Sequence, residues 1–242
     1  MKQGLFEIIS NREIARNTYE MRLAGDVSAI TTPGQFVNIK LDGHYLRRPM
    51  SVCDVDDGAL TIIYKAVGRG TTAMARMGAG GTLDLLTGLG NGFDVSKSLE
   101  RPLLIGGGAG IPPLYLLANR LLSAGARPIA ILGFNENDER FYEDKFQSLG
   151  IEVRVCVGGG APGCIRGFVT DAMREDAPYV FTCGPEGMLR AVHDKAGGGQ
   201  FSFEARMGCG FGACLGCSCR TKYENKRICV DGPVLEREEI VW

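Results

Sequence analysis

No apolar run in this 242-residue chain reaches the roughly 18 residues that a membrane-crossing helix needs. The N-terminal Met1-Lys2-Gln3-Gly4-Leu5-Phe6-Glu7 has no apolar signal-peptide core. Both absences lead us to expect a cytoplasmic protein with no membrane partner. Excess charge is also missing. The 27 basic and 28 acidic residues leave a net charge of −1, so nothing electrostatic favours nucleic acid or an anionic surface. Histidine is scarce: neither His44 nor His193 is needed for catalysis, and His44 is expected in an exposed loop.

What the chain does have is glycine, 35 residues of it, and nine cysteines. Hydrophobic residues at 45% and charged residues at 23% give an ordinary globular balance. Cys53, Cys156, Cys164 and Cys183 are scattered, whereas Cys209, Cys214, Cys217, Cys219 and Cys229 crowd together. An odd cysteine total in a reducing compartment points to a metal site rather than a disulfide framework. The spacing Cys209-x4-Cys214-x2-Cys217-x11-Cys229 begins like a plant-type 2Fe–2S loop. Gly208, Gly210, Gly212 and Gly216 let the backbone curl around such a group and aim N–H donors at its sulfurs. Structural zinc is the competing reading, but zinc sites favour paired cysteine units. Cys219 breaks the spacing and is expected to be a buried or supporting thiol.

Three regions differ in rhythm. Phe36–Leu41 alternates as a half-buried strand would, and Leu60–Lys65 and Thr82–Leu86 are further strands between turns. From about residue 100 the pattern becomes strand-helix alternation. Strands are expected at Pro102–Ile105, Pro128–Gly133, Ile151–Val155 and Tyr179–Thr182, and a helix at Pro112–Ser123. Ala196–Gln200 is read as a linker to the cysteine tail. The expected fold is therefore an antiparallel β-barrel, then a parallel-sheet α/β domain, then a small C-terminal subdomain.

Two sets of motifs lie on that frame. In the barrel region, Arg48-Pro49-Met50-Ser51 supplies a guanidinium fork for a diphosphate and a hydroxyl for a ring. Tyr64-Lys65-Ala66 leads to Gly70-Thr71-Thr72, which opens a helix with N–H and hydroxyl groups suited to phosphate oxygens. In the second region, Gly106-Gly107-Gly108-Ala109-Gly110 joins a strand to a helix begun by Pro112-Pro113. It departs from G-x-G-x-x-G. Cys183-Gly184-Pro185 follows a later strand and opens another helix. The stretch Phe134-Asn135-Glu136-Asn137-Asp138 is acidic, which favours NAD over its phosphorylated relative.

These residues resemble the ferredoxin–NADP reductase superfamily. Its barrel binds FAD through Arg-x-x-Ser and a later Gly-x-x-Thr/Ser segment, and its Cys-Gly-Pro turn lies beside the nicotinamide. The resemblance implies flavin contacts from Arg48 to Ser51, Tyr64 to Ala66 and Gly70 to Thr72. It implies nucleotide contacts from Gly106 to Gly110 and Cys183 to Pro185, with Ser51 and Cys183 at the reacting rings. The order barrel, nucleotide domain and short cysteine tail, with Arg206-Met207-Gly208-Cys209, resembles the electron-transfer subunits of type B dihydroorotate dehydrogenase. That resemblance implies FAD on 1–97, NAD on 98–199 and a 2Fe–2S cluster on 200–242, held by Cys209, Cys214, Cys217 and Cys229. It also implies a heterotetramer with an FMN-containing catalytic subunit, two of each, in pyrimidine biosynthesis. The family usually has Gly-Pro where this chain has Thr87-Gly88.

Physical logic supports the order. Nicotinamide exchanges hydride, an iron–sulfur cluster exchanges single electrons, and flavin does both, so flavin belongs between them. An oxygenase reductase needs a full ferredoxin domain, which the x11 gap excludes. The flavin subunit of a ferredoxin–NADP transhydrogenase or sulfide dehydrogenase shares the architecture and stays open. A zinc-stapled redox-sensing module would leave both nucleotide motifs without a purpose.

Overall fold

In the computed structural model, residues 1–173 and 179–242 are described. Strands β1 (Lys2–Ala15), β2 (Thr18–Ala24), β3 (Phe36–Lys40), β4 (Arg48–Asp56), β5 (Ala59–Lys65) and β6 (Thr82–Leu89) close a barrel in the order β1-β2-β5-β4-β3-β6. All its neighbours are antiparallel. Strand alternation turns Val37, Ile39, Ile62, Leu83 and Leu85 inward to fill it. Helix α1 (Arg69–Met74) buries Met74 against the same core.

One departure from the resembling family has a backbone cause. Gly88 lies at φ +66°, and a Cβ there would come within 2.4 Å of the Ala29 carbonyl oxygen. Proline, locked near φ of about −65°, has no place in this conformation.

The α/β part runs β7 (Leu103–Gly107), α2 (Pro112–Ser123), β8 (Ile129–Phe134), α3 (Glu143–Ser148), β9 (Glu152–Val157), β10 (Ile165–Arg166), β11 (Val180–Cys183), α4 (Glu186–Lys195) and β12 (Gly199–Ser202). The cysteine tail adds the hairpin β13 (Ser218–Arg220) and β14 (Asn225–Arg227), then β15 (Val234–Glu236). Sheet order is β10-β9-β8-β7-β11-β12-β15, parallel except at the last pair. The chain winds one way from β7 to β9 and the other way from β7 to β12. The crevice beyond the carboxyl end of β7 is thus a topological switch point, where open α/β sheets bind ligands. Helix α2 joins the two layers: Leu114, Leu117 and Leu121 pack in the sheet's core, while Leu116 reaches the barrel's.

Two sequence expectations are corrected. The stretch read as a linker ends in strand: Gly199 and Gln200 begin β12, buried and hydrogen-bonded to β11. The cysteine tail is no loose appendage, because β15 returns to pair with β12. Second, Phe36–Leu41 is not half-buried, since Phe36, Val37, Asn38 and Ile39 are all buried. Alternation predicts a wet outer face only when nothing packs there, and here the cysteine tail covers it. Phe36, Leu86 and Leu89 of the barrel share one core with Cys217, Ile228 and Cys229. Among the described residues, no helix is long and apolar enough to cross a membrane.

Candidate functional site

At the switch point a cavity of about 700 Å³ opens between sheet and barrel. Gly107, Gly108 and Ala109 form one wall, Pro185 and Met188 another, and Tyr64 and Lys65 of β5 a third. The glycine turn therefore does two jobs. Gly106 and Gly110 do not line the cavity. A Cβ on Gly106 would meet Ile111 and Leu114, and one on Gly110 would lie 2.2 Å from the Cys183 carbonyl oxygen. They let α2 and the Cys183–Gly184 peptide close in, and Gly107 to Ala109 are thereby presented to the cavity.

Cys183 itself is buried, and burial pushes its thiol up to about 12 despite a hydrogen bond with Ser202. It stays a neutral thiol behind the wall. Asn135 lines the cavity, whereas Glu136 leans over Gly159. Asp138 and the lining residue Glu139 are engaged across the domains: Arg16 reaches both, and Lys65 pairs with Glu139. Lys65 is thus already neutralised in this arrangement.

Sequence reading missed Glu204. It lines the cavity just after β12; its side chain still meets solvent, and partial desolvation by the surrounding protein raises its carboxyl above the ordinary range. The only local signal was an acid set between apolar residues ahead of the cysteine loop. Thr18 and Phe141 were missed too, because each comes from a segment without a motif, and Met188 because it lies one turn beyond the Cys183-Gly184-Pro185 residues of its motif.

On the barrel, the two flavin motifs meet. Arg48 lies so close to Gly70 that a Cβ there would come within 2.4 Å of its Nε. The neighbouring Arg47 is committed to Asp84 at 3.0 Å. Among the described residues Arg48 has no carboxylate partner; it donates to the Leu46 carbonyl. Thr71 Oγ1 accepts the N–H groups of Val67 and Gly68 at 3.1 Å each and so caps α1, while Thr72 is exposed. Pro49 and Ser51 sit on β4 opposite Asn38 and Phe36, and Met50 packs toward the barrel core. The Arg-Pro-Met-Ser segment thus opens strand β4 itself. Tyr64 donates to Asn11 Oδ1 at 2.9 Å and stacks on Tyr19 at 5.7 Å, and burial pushes its phenol up to about 12. The Ala66 N–H donates to the Asn17 carbonyl at 2.7 Å.

The cysteines gather as two pairs. In the loop, the Cys209 N–H donates to Cys214 Sγ and the Cys214 N–H to Cys209 Sγ, both at 3.4 Å. The x11 gap is the β13–β14 hairpin, which folds Cys229 back to Cys217. The Cys229 N–H donates to Cys217 Sγ at 3.4 Å. Burial opposes ionisation of Cys209, yet N–H donors from Phe211, Cys214 and Ala213 outweigh it and bring the thiol down to about 6. Gly210 and Gly212, at φ +79° and +92°, permit the tight curl. Among the described residues, no three His, Cys, Asp or Glu side chains converge as ligands of one metal ion. Two thiol pairs ringed by N–H donors fit a two-iron group, with two thiolates for each iron. Cys219 instead packs, partly buried, against the shared core.

Barrel, switch-point cavity and their packing define a reductase of the ferredoxin–NADP reductase fold. A ferredoxin–NADP reductase from Neisseria gonorrhoeae shares that fold at a TM-score of 0.70, 14% identity, and coverage of 81% of this chain and 90% of its own. Similarity is greater to a chain of the NADH-dependent reduced ferredoxin–NADP oxidoreductase studied for flavin-based electron bifurcation. There the TM-score is 0.90 and identity 31%, over 99% of this chain and 90% of that one. The family model for the iron-sulfur cluster binding domain of dihydroorotate dehydrogenase B matches residues 204–241. The electron transfer subunit of dihydroorotate dehydrogenase B (NAD(+)) from Bacillus mycoides is 42% identical, over 99% of this chain and 98% of its own length. Its counterpart from Fusobacterium nucleatum is 45% identical over 93% of each. This chain belongs to that family of electron transfer subunits.

Proposed function

We propose that the chain carries electrons from the FMN of a dihydroorotate-oxidising partner, through a 2Fe–2S cluster and FAD, to NAD in pyrimidine biosynthesis. The observation that supports this reading is the shared placement: the Cys217–Cys229 pair, the barrel face of Phe36, Leu86 and Leu89, and the cavity residues Val169 and Met188 meet in one core. Residues 1–97 hold the flavin, 98–199 the nucleotide and 200–242 the cluster. When bound, FAD exchanges hydride with nicotinamide and single electrons with the cluster.

The chain's own groups bind and orient. Arg48, with the Gly70-Thr71-Thr72 backbone, takes the flavin diphosphate, and Ser51 and the Tyr64-Lys65-Ala66 strand hold the ring. Gly107 to Ala109 approach the nucleotide pyrophosphate, and Gly106 and Gly110 hold that turn in place. Gly184 and Pro185 form the floor under the nicotinamide, backed by the neutral Cys183. Cys209, Cys214, Cys217 and Cys229 hold the iron. Asn135 and Glu136 favour the ribose of NAD over a phosphorylated one. No acid–base pair is required of the chain, and its place is the cytoplasm.

Glu204 sets a pH dependence. A nucleotide entering the cavity removes water from a carboxyl whose pKa burial has already raised. The pKa in the complex then exceeds that of the free protein, so binding takes up a proton. NADH affinity should therefore be level below the raised value of the free protein and fall as pH rises from that value to the still higher one of the complex. Glu204→Gln should flatten that slope, as read by fluorescence titration of NADH across pH. A slope that survives the substitution assigns the dependence elsewhere.

Co-expression tests the function. A dihydroorotate-oxidising FMN subunit should co-purify in a two-plus-two complex that reduces NAD with dihydroorotate. The likeness to the ferredoxin–NADP oxidoreductase chain favours one rival. A chain that co-purifies only with a ferredoxin-reducing partner would establish that rival instead.

A further inference from the structure

Asn38 is a polar residue in a buried strand, 1% exposed. Its Nδ2 donates to the carbonyl of Cys209 at 3.1 Å, across 171 residues of sequence. Its Oδ1 is buried with no hydrogen-bond partner among the described residues. Gly210 presses on the same amide: a Cβ there would lie 2.3 Å from Asn38 Nδ2. The backbone of Asn38 is held in turn, since Arg47 donates to its carbonyl at 3.2 Å and to Asp84 at 3.0 Å. Asn38 also pairs with Pro49, inside the Arg48–Ser51 segment of β4. It therefore joins the barrel strand beside the flavin segment to the first cysteine of the loop.

We propose that Asn38 is a positioning residue for the iron–sulfur cluster, fixing the Cys209–Gly210 peptide and so biasing electron sharing between flavin and cluster. The proposal rests on the reading of Cys209 as a cluster ligand. A trans peptide points its C=O and N–H in opposite directions, so holding the Cys209 carbonyl also fixes the Gly210 N–H. The carbonyl, a negative dipole end, is held toward the barrel. The loop beyond it can then direct the Cys214 N–H at Cys209 Sγ, 3.4 Å away. Donors aimed at thiolates stabilise the more negative, reduced cluster. An unclamped peptide loses part of that stabilisation, and the electron moves toward the flavin. The barren Oδ1 shows that the amide is not kept for its own satisfaction, because a buried orphan acceptor is itself costly.

The test uses the full chain with flavin and cluster in place, poised at a fixed NADH to NAD ratio. Electron paramagnetic resonance reads the fraction of cluster reduced. Asn38→Ala should keep the cluster and shift the cluster–flavin equilibrium about fivefold toward flavin, the equivalent of one lost hydrogen bond. Asn38→Asp keeps the size, loses the donor and adds a negative charge, so its shift should be larger. Melting of the cofactor-free protein should hardly change in Asn38→Ala, where an orphan acceptor leaves along with the bond. A wild-type ratio in either variant with full cluster content overturns the proposal. If neither variant assembles a cluster, retained flavin reduction by NADH supports an anchoring role, and loss of flavin as well overturns it. A wild-type protein without 2Fe–2S absorption would instead refute the cluster reading itself.

Discussion

Replacing Cys214 by serine is expected to erase the iron–sulfur absorption while NADH still reduces the flavin at its former rate. Cys214 is exposed in the loop and pairs with Cys209, whereas Cys217 and Cys229 are buried by the hairpin. In the ligand set proposed above its loss removes one thiolate of the four, and a serine hydroxyl does not replace a soft sulfur ligand for iron. The cavity wall is built from other segments, namely the turn after β7, the start of α4 and strand β5. Delivery of electrons between flavin and partner should therefore drop by more than about 100-fold, beyond what losing a mere supporting residue of a metal site costs. Visible absorption, resonance spectra and stopped-flow reduction by NADH check the two halves separately. Loss of NADH reduction together with the cluster would contradict the separation of the two sites.

Gly110→Ala should have the second large effect. The added Cβ would fall 2.2 Å from the Cys183 carbonyl oxygen and 2.5 Å from the Gly184 nitrogen, and both are backbone atoms. No side chain can swing away, so α2 or β11 must shift. Overpacking against fixed backbone costs about 3 kcal/mol. For a chain of this size that lowers the melting temperature by on the order of 10 °C. The shift also moves the walls that carry Gly107 to Ala109 and Pro185, so NADH binding should weaken with stability. Gly108→Ala is the control for stability alone, since Gly108 lines the cavity. Its Cβ meets nothing within 4 Å, and only the φ of +49° penalises it, by about 1 kcal/mol. Differential scanning calorimetry of both variants and NADH titration of Gly110→Ala decide; equal melting of the two would mean that the close approach is not what holds the turn.

The two glycines show how far the sequence carried the nucleotide site. Gly106 to Gly110 were all legible as a strand-to-helix turn, since glycine run, preceding strand and Pro112-Pro113 are neighbours in the chain. Which of them face a ligand and which face protein was not legible. That division depends on Cys183 and Leu114, brought in by other elements. Likewise Arg48 and Gly70 were recognisable as separate motifs, but their contact comes only from closing the barrel. Glu204 stood next to the cysteine loop without a motif of its own, and its role arises because β12 ends at the cavity.

The cysteine tail shows the same limit. Its x4, x2 and x11 gaps pointed to the ligand chemistry, yet the reading of 196–200 as a linker failed. A glycine-rich stretch signals a turn locally, but here β11 and β15 recruit its end as buried strand. Asn38 was misread for a related reason. Period-two alternation reports which residues share a face, not what covers that face.

The sequence alone thus pointed to the clustered cysteines, to a β-barrel followed by a parallel-sheet α/β part, and to the glycine turns, because these rest on backbone freedom and side-chain chemistry over a few neighbouring residues. Tertiary structure decided that the tail is built into the sheet, that the cysteines form two pairs, and that a barrel asparagine grips the first of them. Those outcomes depend on segments far apart in sequence sharing one core, and no local pattern encodes that.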